Sequence, residues 1–483
     1  MKKQKSLALN FTMNIILTMS SFIFPLITFP YVSRILLPAG TGKVTFATSV
    51  ISYFNILAQL GIPTYGIRVC AQVRDNREEL SRTVHELFAI NMIMSTCAYV
   101  LFLVSVVSVP RLHQERSLFL VISLSIWFNT IGMEWLYKAL EQYTYITVRS
   151  VAFKLVALLS MFLLVHQESD YVYYGAVTIL AASASNIFNF INVHRFISFH
   201  SVGSYNLKRH LKPVVIFFAM SCATTVYTNL DMVMLGFLKT DTEVGYYGAA
   251  VKVKTILLSI VTSLGTVLLP RVSYYIENGM KEEFHKIAEK ALDFVALISI
   301  PMCMYFILFA RESIFFLSGE AYTGAVLPMQ IIMPTLILIG LTNIMGIQML
   351  VPMGAEKYVL YSELAGAAAN LVLNAILIPE LASSGAALGT LAAEGVVWYV
   401  QYYFLKNEVG VMYRKIRYGL FVGGAVAGGI VASVMKMFHF HMVVTLIISA
   451  VIYFGIYILV LLAGKETLML ETEKKIRGFL KRL

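Results

Sequence analysis

Apolar runs of about 20 residues, each long enough to cross a hydrocarbon layer as a helix, follow one another along this chain. They fall near 11–33, 44–64, 85–109, 117–137, 147–166, 172–193, 213–236, 246–269, 287–310, 326–352, 359–379, 385–405, 418–437 and 442–463, here termed spans 1 to 14. None shows the ten-residue in–out alternation of a barrel strand. The expected fold class is therefore all-α, a polytopic membrane protein with about 14 transmembrane helices. Composition closes the alternatives: 58% of the 483 residues are hydrophobic and 13% charged, where soluble domains carry about 25% charged residues. A water-soluble globule of this make-up would expose large apolar patches, which excludes a cytosolic enzyme, a secreted disulfide scaffold and a disordered regulator. Span 1 is too long and polar for a secretory leader, and no small-residue cleavage site follows it, so it is expected to be retained.

The formal net charge of +11 would suit a nucleic-acid partner, but the basic residues sort by loop. With the N-terminus inside, 28 of the 38 Lys and Arg residues lie in loops and tails on one face, 7 on the other and 3 within spans. Basic loops stay on the cytoplasmic side, so both termini are expected in the cytoplasm. No Walker A, HExxH or GxSxG motif occurs. Cys70, Cys97, Cys222 and Cys303 are far apart and the nine histidines are scattered, with His439 and His441 the one close pair. No metal site, cofactor or catalytic residue is expected, and the chain is not expected to be an enzyme.

The chain also resembles itself. Residues 44–50 match 245–251, Leu60-Gly61 matches Leu264-Gly265, Glu78-Glu79-Leu80 matches Glu282-Glu283-Phe284, and Arg68 corresponds to Arg271, all at offsets of 201 to 204. Six spans separate the copies, so both halves share one orientation, as in transporters built from parallel repeats. Residues 1–205 read as an N-lobe of six helices, 206–410 as a pseudo-symmetric C-lobe, and 411–483 as two further helices with a basic cytoplasmic tail.

Ionisable groups within the spans are costly, about 2.5–3.5 kcal/mol each on insertion scales, and face a cavity or one another. They are Glu134, Lys154, Asp231, Lys252, Lys254, Glu363 and Glu394, with Arg34 closing span 1. A structural reading pairs Glu134 with Lys154 and Asp231 with Lys252. Lys252 and Lys254 point about 160° apart on a helix, and Lys252 is the deeper. Spans 1, 2, 7 and 8 hold most of the neutral polar residues, which argues for a wet central pathway or for interhelical bonding. Pro25 and Pro30 in span 1, and Pro328 and Pro334 in span 10, are places for kinks. The glycines of 423–429 and 385–389 suit close helix packing.

Three stretches, PLITFPYVSRILLPAGTGKVTFATSVISYFNILAQLGIPTYGIR (25–68), DMVMLGFLKTDTEVGYYGAAVKVK (231–254) and GAAANLVLNAILIPELASSGAALGTLAAE (366–394), resemble bacterial polysaccharide-export flippases. These belong to the multidrug, oligosaccharidyl-lipid and polysaccharide exporter superfamily. The resemblance implies two six-helix lobes around a central cavity, alternating access, and a place in the bacterial plasma membrane. It implies an undecaprenyl-pyrophosphate-linked oligosaccharide as substrate, carried from the inner to the outer leaflet. Membrane lipids, a polysaccharide polymerase and glycosyltransferases are the implied partners, and no nucleic acid. A pyrophosphate calls for cations in a wet cavity, and Arg34, Lys252, Lys154 and Arg68 are the candidates. Asn14, Tyr31, Tyr53 and Asn229 are candidates for the sugars, and Asp231, Glu134, Glu363 and Glu394 for ion coupling or structural charge pairs. The rival readings are a cation-coupled multidrug antiporter and a peptidoglycan-precursor (lipid II) flippase of the same superfamily, or, from another class, a non-transporting scaffold.

Overall fold

A computed structural model describes residues 7–200, 203–438 and 440–470. Lys2, Lys3, Lys5, His439 and the basic tail after 470 lie outside the described residues, as do the side chains of Leu264 and Arg271. The described residues form helices and no strand, as hydrocarbon requires: with no water to bond N–H and C=O groups, the backbone must satisfy itself within each segment.

Among the described residues, ten helices are long and apolar enough to cross a membrane. They become eleven when Glu320–Ile332 and Thr335–Leu350, bent by 46° at Pro334, are taken as one span. The expected count of fourteen is not reached by that criterion. Helical geometry nevertheless breaks inside two of the longest segments. In Leu7–Gln59 it breaks at Leu37 (φ 57°, ψ 179°), and in Glu356–Lys415 at Ala382 (φ 48°, ψ −126°). Both breaks fall between runs assigned to separate spans. Leu37 precedes Pro38, which disfavours a helical conformation in the residue before it. Beyond Ala382 the chain turns so tightly that a Cβ on Gly385 would lie 2.4 Å from the Leu377 carbonyl oxygen. Pro25 and Pro30 sit within helical geometry, so the first segment breaks before Pro38 rather than at either.

The 17-residue apolar helix Arg116–Gly132 also stops short of its expected end. Met133 adopts φ 40°, and a new helix starts at Glu134. That left-handed residue decides the surroundings of Glu134.

The chain folds as two compact units, Met1–Gly245 and Tyr246–Leu483. In the first, Ile62, Cys70, Leu80, Leu87, Trp135 and Leu136 form a buried cluster. Gly66 lets the Trp135 ring approach, since a Cβ there would lie 2.8 Å from it. By packing, the Lys208–Leu238 helix belongs to this unit, although the repeat groups it with the C-lobe. In the second unit, Tyr418–Ser433 packs along Met442–Ala463 through Gly424 and Gly428, which face Tyr457 and Tyr453. Tyr457 also mends backbone. Pro301 has no N–H for the carbonyl four residues earlier, and the Tyr457 hydroxyl donates to that Leu297 oxygen at 2.8 Å. Cys70 and Cys303 are buried as small hydrophobes, Cys222 is half-buried, and Cys97 is exposed on its helix.

Candidate functional site

Lys154 lies eleven residues into the Tyr143–Leu164 helix, about 16 Å along its axis. Its ammonium donates to the hydroxyls of Ser20 and Ser21, each at 2.8 Å, and makes no ion pair among the described residues. The expected partner, Glu134, goes elsewhere. Because the helix restarts after Met133, Glu134 and Lys138 stand one turn apart and meet at 2.8 Å. Glu134 also accepts from Arg149 at 3.3 Å, near the start of the Lys154 helix. Arg149 is 6% exposed at its side chain and donates to the Ser185 carbonyl as well.

The other candidates of the first unit divide between tethered and exposed groups. Tyr31 donates to the Val165 carbonyl at 2.9 Å and sits edge-on to Phe162, which ties the ends of two helices together. Arg34 is exposed and donates to the Pro30 carbonyl at 2.5 Å. Asn14 and Arg68 are exposed on their helices. Asn229 is half-buried and bonds back to Thr225 and Thr228. Asp231 is buried within electrostatic reach of Tyr53, whose hydroxyl is buried with no hydrogen-bond partner among the described residues.

Two polar residues of span 2, Asn55 and Gln59, serve helix–helix bonding. Asn55 donates to Ser125 at 3.1 Å and accepts from Asn129 at 3.1 Å. Asn129 in turn accepts from Asn186 at 3.4 Å. Gln59 donates to Thr130, which also meets Ser95 at 2.6 Å. These residues form an interhelical ladder.

Two arrangements in this unit escaped the sequence reading. At one end, the Glu86 carboxylate is wholly buried. It accepts from the Asn206 amide (2.6 Å), from His210 (2.7 Å) and from Arg209 through Nε (2.8 Å) and Nη2 (2.6 Å). The far nitrogen of the His210 ring meets the Tyr65 hydroxyl at 2.9 Å. At the other end, Lys43 pairs with Glu115 at 2.6 Å, and Glu115 accepts from Tyr171. Beside it Arg111 pairs with Asp241 and donates to the Gly236 carbonyl at 3.0 Å. Gly42 and Gly245 allow the two chain segments to touch: a Cβ on either would lie 1.8 Å from the Asp241 oxygen or 2.0 Å from the Pro38 oxygen, respectively. The segment 208–241 is thus pinned within the first unit at both ends. A lone acid such as Glu86 near a helix start looks like many solvated residues, and all its partners except Arg82, at 3.4 Å on the same helix, are more than 100 positions away.

In the second unit, Lys252 and Glu363 are half-buried and Glu394 is buried. The same unit also buries neutral polar groups. Gln401 donates to Ser362 at 3.1 Å, Asn374 to Asn370 at 2.9 Å, and Tyr247 meets Thr390 at 2.7 Å. The four-residue spacing of Asn370 and Asn374 was the available signal. No group of three or more His, Cys, Asp or Glu side chains able to hold a metal occurs among the described residues.

The polysaccharide biosynthesis protein family matches residues 7–276, and the MatE family residues 217–376. A protein of Escherichia coli (strain K12) named "Putative O-antigen transporter" is 23% identical over 392 residues, covering 80% of this chain and 94% of that one. The solved structure of lipid II flippase MurJ in an inward closed conformation superposes with a TM-score of 0.71 at 13% identity, over 94% of this chain and 100% of its own. A multidrug resistance MATE family transporter of the MOP superfamily gives 0.60 at 12% identity, over 84% and 99%.

Proposed function

The chain belongs to the polysaccharide biosynthesis protein family, and from that premise we propose that it is a flippase for a lipid-linked oligosaccharide. In this reading the substrate is a repeat unit on undecaprenyl pyrophosphate, turned from the inner to the outer leaflet of a bacterial plasma membrane for surface polysaccharide assembly. The family match over residues 7–276 carries it. The Escherichia coli relative, matched over 94% of its length, supports it.

The lobes 1–205 and 206–410 alternate access to the two leaflets, and both termini stay in the cytoplasm, as the 28 basic residues on one face favour. A diphosphate entering the membrane needs cations. Lys154, held by two serine hydroxyls, meets that need in the first lobe. Lys252 is its counterpart in the second, with Arg34 and Arg68 as exposed cations. Asn14, Tyr53 and Asn229 line the sugar path, while Glu134, Asp231, Glu363 and Glu394 balance charge or couple ions. The chemistry is transport, with no covalent step, and the enzymes that build and polymerise the repeat unit are the working partners.

Deleting the gene in a strain with no paralogue is expected to trap lipid-linked repeat units on the inner leaflet. Normal export would refute the proposal. A multidrug antiporter would instead move a cationic dye against protons or sodium in liposomes. A lipid II flippase would complement loss of peptidoglycan-precursor export.

A further inference from the structure

The Lys281–Leu308, Tyr418–Ser433 and Met442–Ala463 helices come together at one end of the second unit. There a half-open cavity of about 170 Å³ is lined by Glu289, Lys290, Asp293, Lys415, Arg417 and Glu466. Its charges are arranged in two poles. Asp293 and the buried Glu466 lie within hydrogen-bonding reach of each other. One oxygen of Glu466 is already engaged, accepting from the Met469 amide at 2.7 Å. Two carboxylates in contact share a proton unless a cation sits between them and lets both stay ionised.

The cationic pole is beside them. Lys415 is exposed and meets Glu289 at 2.7 Å. Arg417, also exposed, donates through Nη1 to the carbonyls of Gly464 and Lys465 at 2.8 and 3.2 Å. A guanidinium has five N–H donors, and those on Nε and Nη2 make no further bond among the described residues. Further along the last two helices, the apolar side chains of Val422, Val426, Ile458 and Leu459 are exposed.

A ligand matching all three features carries a primary ammonium, an anionic phosphate and hydrocarbon tails. A divalent metal suits the carboxylate pair less well, because no third His, Cys, Asp or Glu ligand completes a set there. We propose that this cavity binds the head group of an aminophospholipid such as phosphatidylethanolamine. The ammonium sits against Asp293 and Glu466, the phosphate against Arg417 and Lys415, and the acyl chains along the apolar helix faces. The ammonium donates N–H bonds to the pair and takes the place of the shared proton. This site is independent of the translocation reading, so either can fail alone.

The test is lipid retention by the purified, delipidated full chain, read by native mass spectrometry. The probes are phosphatidylethanolamine, its mono- and dimethyl derivatives, phosphatidylcholine and phosphatidylglycerol, all with the same acyl chains. Phosphatidylethanolamine is expected to be retained at least about fivefold over phosphatidylcholine, the factor carried by one net hydrogen bond of about 1 kcal/mol. Retention is expected to fall stepwise as N–H groups are methylated. Asp293→Asn should erase the preference, and Arg417→Gln should weaken all the phospholipids together. Equal retention of phosphatidylethanolamine and phosphatidylcholine overturns the proposal, as does a preference unchanged by Asp293→Asn or one that disappears when divalent cations are chelated. The methylation series in the unaltered protein decides the matter if Asp293→Asn does not fold.

Discussion

Replacing Glu86 by Gln keeps the side-chain shape and removes the charge at the centre of the most heavily bonded carboxylate described in the first unit. Its partners are not equal. The Arg82 and Arg209 side chains are 32% and 35% exposed and can turn to water when the carboxylate is lost, so their share is discounted. His210 is 1% exposed, and the Asn206 amide has no other acceptor among the described residues. A Gln oxygen can serve one of these donors, while its NH2 is turned towards the other. Breaking a buried pair outright costs about 3–5 kcal/mol, and one unsatisfied buried donor about 1–3 kcal/mol. With the exposed arginines discounted, the expected loss is about 2–3 kcal/mol.

The assay is reversible unfolding of the purified protein in mixed micelles, followed by tryptophan fluorescence. Glu86→Gln, His210→Gln and the double variant form a cycle. The double variant is expected to lose less than the sum of the singles by about 1–2 kcal/mol, because the two groups bond each other at 2.7 Å. A loss below about 0.5 kcal/mol for Glu86→Gln, the size of an ordinary surface change, would refute the claim that this hub holds the start of the Lys208–Leu238 helix. An additive cycle would refute the claim that the two groups act together.

Other substitutions probe the remaining contacts. Lys154→Gln is expected to lower translocation of lipid-linked repeat units about tenfold or more at unchanged membrane insertion, with Lys154→Arg retaining most activity. Unaltered export by Lys154→Gln would remove the lysine from the phosphate path. Gly42→Val should force residues 38–46 away from Asp241, so that a cysteine placed at Thr240 reacts faster with maleimide; an unchanged labelling rate would contradict the close approach. Tyr457→Phe removes the donor to the carbonyl that Pro301 leaves open, and mixed-micelle unfolding should show a loss of about 1 kcal/mol. Gly66→Ala presses a methyl group onto the Trp135 ring and should cost about 1–3 kcal/mol in the same assay.

Parts of the site were legible in the residues and parts were not. Lys154 stands out in sequence because a lysine in an apolar run is costly wherever the helix packs. Its serine partners do not, since Ser20 and Ser21 look like any small polar pair in a helix. Glu134 was visible as a charge, but its partner turned on Met133, where a single left-handed residue ends one helix and aims the next. The polar residues of span 2 were visible too. Their use in an Asn55–Asn129–Asn186 ladder depends on which faces of three helices meet.

Membrane residence and helical class belong to the sequence alone. Each is a local property: a run of about 20 apolar residues must close its own hydrogen bonds in hydrocarbon, whatever surrounds it. The pairing of charges, the pinning of 208–241 at both its ends and the cavity between Asp293 and Arg417 belong to the tertiary structure. Hydrocarbon-facing helices look alike on every side, so a short-range pattern does not specify their rotation and register. Only packing against other segments of the chain decides which polar groups meet.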